Sequence, residues 1–98
     1  MAKHKYRVTL EHLSNPKGEI SNHSPLQIEV DNHDDIFKIV ELMRNRDDLG
    51  QNDAAALAIG IKLFGEVMLD NRDNPLFAAF MKDFSRFMKA LKAGNSNP

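Results

Sequence analysis

Cysteine is absent from this chain of 98 residues. Disulfides, thiolate zinc sites, iron–sulfur ligation and cysteine nucleophiles are therefore all excluded, while the redox compartment stays open. No run approaches the roughly 18 consecutive apolar residues that a membrane-spanning helix requires, so no membrane partner is expected. The start, Met1 to Arg7, is basic and then alternates polar with apolar residues. It lacks the unbroken apolar core of a secretory signal, and the cytoplasm is the expected compartment. An excess of charge of one sign is missing too. Thirteen Lys plus Arg stand against fourteen Asp plus Glu, for a net charge of −1, which supplies no long-range attraction for nucleic acid or an acidic partner.

What is present is ordinary for a water-soluble globule: 42% hydrophobic and 28% charged residues. Length and composition predict a single globular domain over residues 1–94 and a flexible C-terminal tail at 95–98. Such a domain buries one modest core and has little stability to spare. Basic residues gather near both ends and acidic ones in the middle, a distribution that favours internal complementarity over external recognition.

Lys5 to Leu13 alternates, with Tyr6, Val8 and Leu10 on one parity, and Leu26, Ile28 and Val30 repeat the pattern after Pro25. These are the periods of half-buried strands, and the intervening residues 14–23, with Pro16 and Gly18, read as a connecting loop. In an antiparallel pair the outer parity sets Lys5 and Arg7 near Glu29 and Asp31. A lone two-stranded hairpin is marginal in water, so its apolar face needs a helical cover.

Three helices are expected to supply that cover. The first is capped by Asp31 or Asn32, holds Asp34 and Asp35 in its opening turn and runs to about Arg46. Its apolar residues are Ile36, Ile39, Val40 and Met43. The second, about Asp53 to Leu69 with Asn52 as its cap, is apolar over most of its girth. Its main stripe is Leu57, Ile61, Phe64 and Met68, and its one polar line is Lys62, Glu66 and Asp70. A helix of that kind is either surrounded or part of an interface. Gly60 and Gly65 weaken it and suggest a close approach by another backbone, a bend being the alternative. A strand beginning near Ala58 competes, because Ile59, Ile61 and Leu63 alternate. The third helix opens at Asn74-Pro75 and ends at Gly94. Phe77, Phe80, Met81, Phe84, Phe87, Met88 and Leu91 fall within a sector of about 120° on it, opposite Lys82, Arg86 and Lys89.

Chemistry-bearing patterns are sparse. Among four His there is no His-x-x-x-His pair, and the acids around His33 are explained by helix capping, so no metal site is assigned. Asp47, Asp48 and Asp53 do not match the spacing of a calcium loop. No Gly-x-Ser-x-Gly elbow, phosphate-binding loop or dinucleotide fingerprint occurs, so no catalytic residue or cofactor is assigned, although residues converging only in three dimensions could still act. Lys82, Arg86 and Lys89 could contact phosphates, but a basic line on an amphipathic helix is usually a solvated face.

Two stretches, Gly60-Ile61-Lys62-Leu63-Phe64-Gly65-Glu66-Val67-Met68-Leu69 with Asn71-Arg72-Asp73-Asn74-Pro75-Leu76-Phe77, and the opening Lys5-Tyr6-Arg7-Val8-Thr9-Leu10-Glu11, resemble a small bacterial family catalogued only as a domain of unknown function. The likeness spans about residues 5–93. It implies a proteobacterial cytoplasmic protein and a compact roll of a hairpin wrapped by helices, and it carries no catalytic residues.

The expectation is thus an α+β domain of order ββααα. Its leading functional reading is a protein-interaction module or homodimer, with Ile59 and Leu69 as the candidate surface because they lie away from the second helix's main stripe. The alternatives are nucleic-acid binding through Lys82, Arg86 and Lys89, and a small-molecule or enzymatic role in a groove between hairpin and helices.

Overall fold

The structure, a computed structural model, describes residues 2–95. It has an antiparallel hairpin followed by helices, an α+β fold in the order the sequence pattern predicts. The described chain forms two compact units, one ending at His33 and one beginning at Asp34. Of the tail expected at 95–98, Asn95 ends the last helix and the rest lies outside the described residues.

In the first unit, β1 (His4–Leu10) pairs with β2 (Leu26–Asn32), and Val8 stands opposite Ile28. Register follows the side-chain parity, since a slip of one residue would exchange the two faces. It places Lys5 opposite Asp31, with Nζ 3.7 Å from a carboxylate oxygen, and Arg7 opposite Glu29 at 2.9 Å, the cross-strand pairs expected from the sequence. Both pairs are exposed and each contributes little. On the other parity Tyr6, Val8 and Val30 are half-buried, whereas Leu10, Leu26 and Ile28 are exposed.

The strands are shorter than the alternation of Lys5 to Leu13 suggests, because the loop has hydrogen bonds of its own. Asn15 Oδ1 accepts from the backbone N–H groups of Lys17 and Glu19, at 2.9 and 3.0 Å. Gly18 adopts φ +84°, a left-handed conformation that glycine reaches without strain. An isolated bridge joins Ser14 to Ile20, and His12 Nδ1 shares a 2.6 Å hydrogen bond with Ser21 Oγ.

In the second unit, α1 (Ile36–Arg44) begins later than its acidic run suggests. Asp35 is the cap, accepting from the N–H groups of Phe37 and Lys38, whereas Asn32 ends β2 and is buried. One carboxylate at the right φ/ψ satisfies the orphan donors, and the acids before it are left for other partners. One of those is Asp34, whose Oδ2 lies 2.8 Å from Lys62 Nζ.

The helix α2 (Gln51–Asp70) is continuous through residues 58–64, which removes the competing strand. Gly50 stands at its cap and Asn52 lies inside the first turn. With no capping side chain there, the entry is held instead by a reciprocal pair. Gln51 Nε2 donates to the Arg44 carbonyl and Arg44 Nε donates to the Gln51 carbonyl, at 2.9 and 3.3 Å.

The helices α1 and α2 pack through Met43, Ala54 and Ala58, all essentially inaccessible, with Ile39, Val40, Leu49, Leu57 and Leu91 around them. Alanine at two successive contact turns of α2 lets the backbones approach, and Met43 fills the space between them.

The final amphipathic stretch is divided. A short helix α3 (Pro75–Ala78), capped by Asn74, is followed after a turn at Ala79 and Phe80 by α4 (Met81–Asn95). The turn closes through a Phe80 N–H to Phe77 carbonyl bond of 3.1 Å, a tighter step than a continuing α-helix makes. Its consequence is aromatic: Phe77, Phe80 and Phe84 all bring their rings within 5.6–6.3 Å of the Phe64 ring. Gly65 does mark a close approach, but by a side chain: a Cβ there would stand 3.6 Å from the Phe84 ring. Near the other end of α4, Arg46 Nη1 donates to the Leu91 carbonyl at 3.2 Å, joining the α1–α2 connection to the last helix.

Candidate interaction surface

The side chains of α2 divide by angle. At 100° per residue, Ala54, Leu57, Ala58, Ile61, Gly65 and Met68 occupy a sector of about 100°. These residues meet α1, the phenylalanine cluster or both, or are otherwise buried. On the opposite side Ala56, Gly60, Leu63 and Val67 fall within about 60° of one another. Leu63 is half-buried, Ala56 and Gly60 are exposed, and Val67 is 50% exposed. Ile59 flanks this stripe on one side and Phe64 on the other, exposed by 39% and 40%.

Between Ala54 and Leu69 the helix carries two charged residues, Lys62 and Glu66, and both are drawn away from solvent. The Lys62 side chain is 15% exposed and paired with Asp34, and Glu66 is 8% exposed. The polar line expected at Lys62, Glu66 and Asp70 is therefore not a solvated face, because only Asp70 of the three is exposed. For about 17 Å along the axis, from Ala56 to Val67, the outward face of α2 offers solvent no charge. Surface helices ordinarily present charge there.

The sequence pattern placed Ile59 and Leu69 away from the main stripe of α2 as the candidate surface. Of its two candidates, Ile59 lies beside the exposed stripe. Leu69, 41% exposed, sits about 80° round the helix on the side away from Val67, so the two do not form one patch. Ala56 and Gly60 were missed as surface residues. The signal that could have found them is the scarcity of charge along sixteen residues of helix. Nothing lies within 4 Å of a Cβ built at Gly60, which faces open space and not a neighbouring backbone.

A second feature is an open groove of about 340 Å³ between α1, α2 and α4, lined by Ile39, Leu42, Ala58, Ile61, Met88 and Leu91 with Lys62 and Lys92. No acid, hydroxyl or imidazole lines it, so it offers apolar contact and lacks the acid–base pair that proton transfer would need.

The sequence-derived phosphate candidates Lys82, Arg86 and Lys89 are exposed and share one side of α4, with Arg86 3.9 Å from Asp83. Among the described residues no three His, Asp or Glu side chains gather as a metal site would require, and no helix is long and apolar enough to cross a membrane. One acid–base perturbation is local to the connection between α1 and α2. The hydrogen bond to Arg46 holds the Asp48 carboxyl below its ordinary range and raises the guanidinium in turn, in a pair 2.7 Å apart of which Asp48 is exposed and Arg46 half-buried.

Residues 4–93 match the family described as a domain of unknown function with solved structure, DUF3861. The chain belongs to this family. No curated protein matches it. Among solved structures, a protein of unknown function from Pectobacterium atrosepticum is similar, with 34% identity and a TM-score of 0.81 over 93% of this chain and 98% of that one. The resemblance read from Lys5–Glu11 and Gly60–Phe77 thus points to the right family, and the solved relative has a proteobacterial source. Neither description names an activity, so function rests on the surface of this DUF3861 chain.

Proposed function

We propose that this DUF3861 protein is a cytoplasmic protein-interaction module that docks a partner on the outward face of α2. The observation that carries the reading is the uncharged, exposed strip from Ala56 to Val67, flanked by Ile59 and Phe64. Cores of protein interfaces are depleted in charged residues and enriched in apolar and aromatic ones, and contiguous apolar patches on a soluble surface mark contact sites. The basic line of α4 has the ordinary form of a solvated helix face and receives no separate role.

Site-specific photo-crosslinking in living cells tests this. A photoreactive residue at position 59 is expected to yield a discrete adduct with a polypeptide, and the same residue at position 89, on the basic line of α4, none. Equal labelling from both positions, or none from position 59, would remove the docking face.

A further inference from the structure

The exposed stripe of α2 has a pattern beyond being apolar. Its residues recur at spacings of four, three and four, namely Ala56, Gly60, Leu63 and Val67, the alternation that forms a helix-pairing seam. Small residues occupy the first half and large ones the second. When two copies of the seam run antiparallel about their common midpoint, Ala56 of one meets Val67 of the other and Gly60 meets Leu63. The remaining two layers repeat these pairs by symmetry. Every layer then sets a small side chain against a large one, which is how facing positions fill space without voids or clashes. A two-fold pair of this kind needs one self-complementary patch, and this stripe matches its own reverse.

We propose that the partner docked on α2 is a second copy of this chain, joined as an antiparallel α2–α2′ pair with Ala56 opposite Val67 and Gly60 opposite Leu63. The proposal rests on the reading of this face as a docking surface and adds the partner and the register. Lys62 is committed to Asp34 and Glu66 is buried, so no exposed charge interrupts the four layers. Beyond the last layer at each end Asp53 meets Asp70, a like-charge contact that solvent screens and that weakens the pair. Gly60 fits the role because the space over it is open within one chain and would receive Leu63 of the second. Four layers make a strip smaller than the about 800 Å² per partner of stable complexes, so half-association is expected on the order of 100 µM.

Sedimentation of the purified protein across concentrations up to the order of millimolar is expected to show a monomer–dimer equilibrium. Gly60→Leu is expected to weaken association at least about tenfold, because two layers are overfilled. The isolated chain should remain folded, since a Cβ at Gly60 has nothing within 4 Å and Leu favours helix more than Gly does. Adding Leu63→Ala to Gly60→Leu should restore association by exchanging the small and large partners.

Register is read separately. Because the chain has no native cysteine, single-cysteine variants Ala56→Cys and Val67→Cys can be mixed and oxidised. The mixed 56–67 disulfide is expected in excess over the 56–56 and 67–67 products. A monomer at every concentration overturns the self-pairing, as does a dimer indifferent to Gly60→Leu or without the 56–67 preference. An adduct from position 59 to a different polypeptide, beside a monomeric purified protein, would sink the second-copy partner while leaving α2 as a docking face.

Discussion

Replacing Met43 with alanine should cost more than any comparable change on the outward face of α2. Met43 is 0% exposed and fills the space over Ala54 and Ala58. Ala54 and Ala58 are already the smallest side chains with a Cβ and cannot swing in, so only the partly buried Ile39, Val40, Leu49, Leu57 and Leu91 are left to close part of the void. Large-to-alanine changes in cores cost about 2–5 kcal/mol, the upper part applying where the site cannot collapse. A value of about 3 kcal/mol is therefore expected. Against a total of about 5–15 kcal/mol for a domain of this size, that is about a fifth to three-fifths of the stability. It corresponds to a fall in Tm of about 12–24 °C.

Urea unfolding followed by far-ultraviolet circular dichroism, at low micromolar protein so that association does not contribute, should show the midpoint falling with the slope unchanged. Val67→Ala is the control, expected to stay within about 0.5 kcal/mol because that side chain stands half in solvent. A loss below about 1 kcal/mol for Met43→Ala, or an equal loss for Val67→Ala, would refute the division of α2 into a buried and an outward face.

Three further outcomes are expected. Asp48 has a folded pKa depressed by Arg46, so its contribution to stability is present at neutral pH, above the unfolded value, and is lost as pH falls through the folded one. Asp48→Asn should flatten the pH dependence of Tm below about pH 4, and an unchanged acid limb would contradict this. Lys62→Met leaves Asp34 without its 2.8 Å partner and should cost about 1–2 kcal/mol in chemical denaturation; no loss would mean the pair is merely exposed. Finally, we propose that residues 1–94 fold as one domain. Calorimetry should then give a single transition whose calorimetric and van't Hoff enthalpies agree, and two resolved transitions would contradict it.

The hairpin was legible in the sequence because period-two alternation at Tyr6, Val8 and Leu10 fixes both strand and face. Its facing charges, Lys5 with Asp31 and Arg7 with Glu29, followed from parity alone. Helix ends were less legible. Several acids and amides near position 33 could all act as caps, and the choice of Asp35 depends on backbone angles that composition does not encode. The break at Ala79 and Phe80 was hidden because neither residue is a glycine or proline, and the gathering of rings round Phe64 that accompanies it is a tertiary arrangement that helical periodicity does not encode. The candidate face was only half visible. Ile59 stood out, but the outward exposure of Ala56 and Gly60 depends on which side of α2 the flat Ala54–Ala58 contact turns toward α1. For a helix apolar all round, periodicity leaves that choice open.

The most direct test of α2 as the place where a second chain docks is a dilution series of two-dimensional amide spectra of the purified protein. Resonances of Ala56, Ile59, Gly60, Leu63 and Val67 are predicted to move with concentration while those of Lys82, Arg86 and Lys89 stay fixed. Spectra independent of concentration, or movement confined to the basic line of α4, would contradict the account.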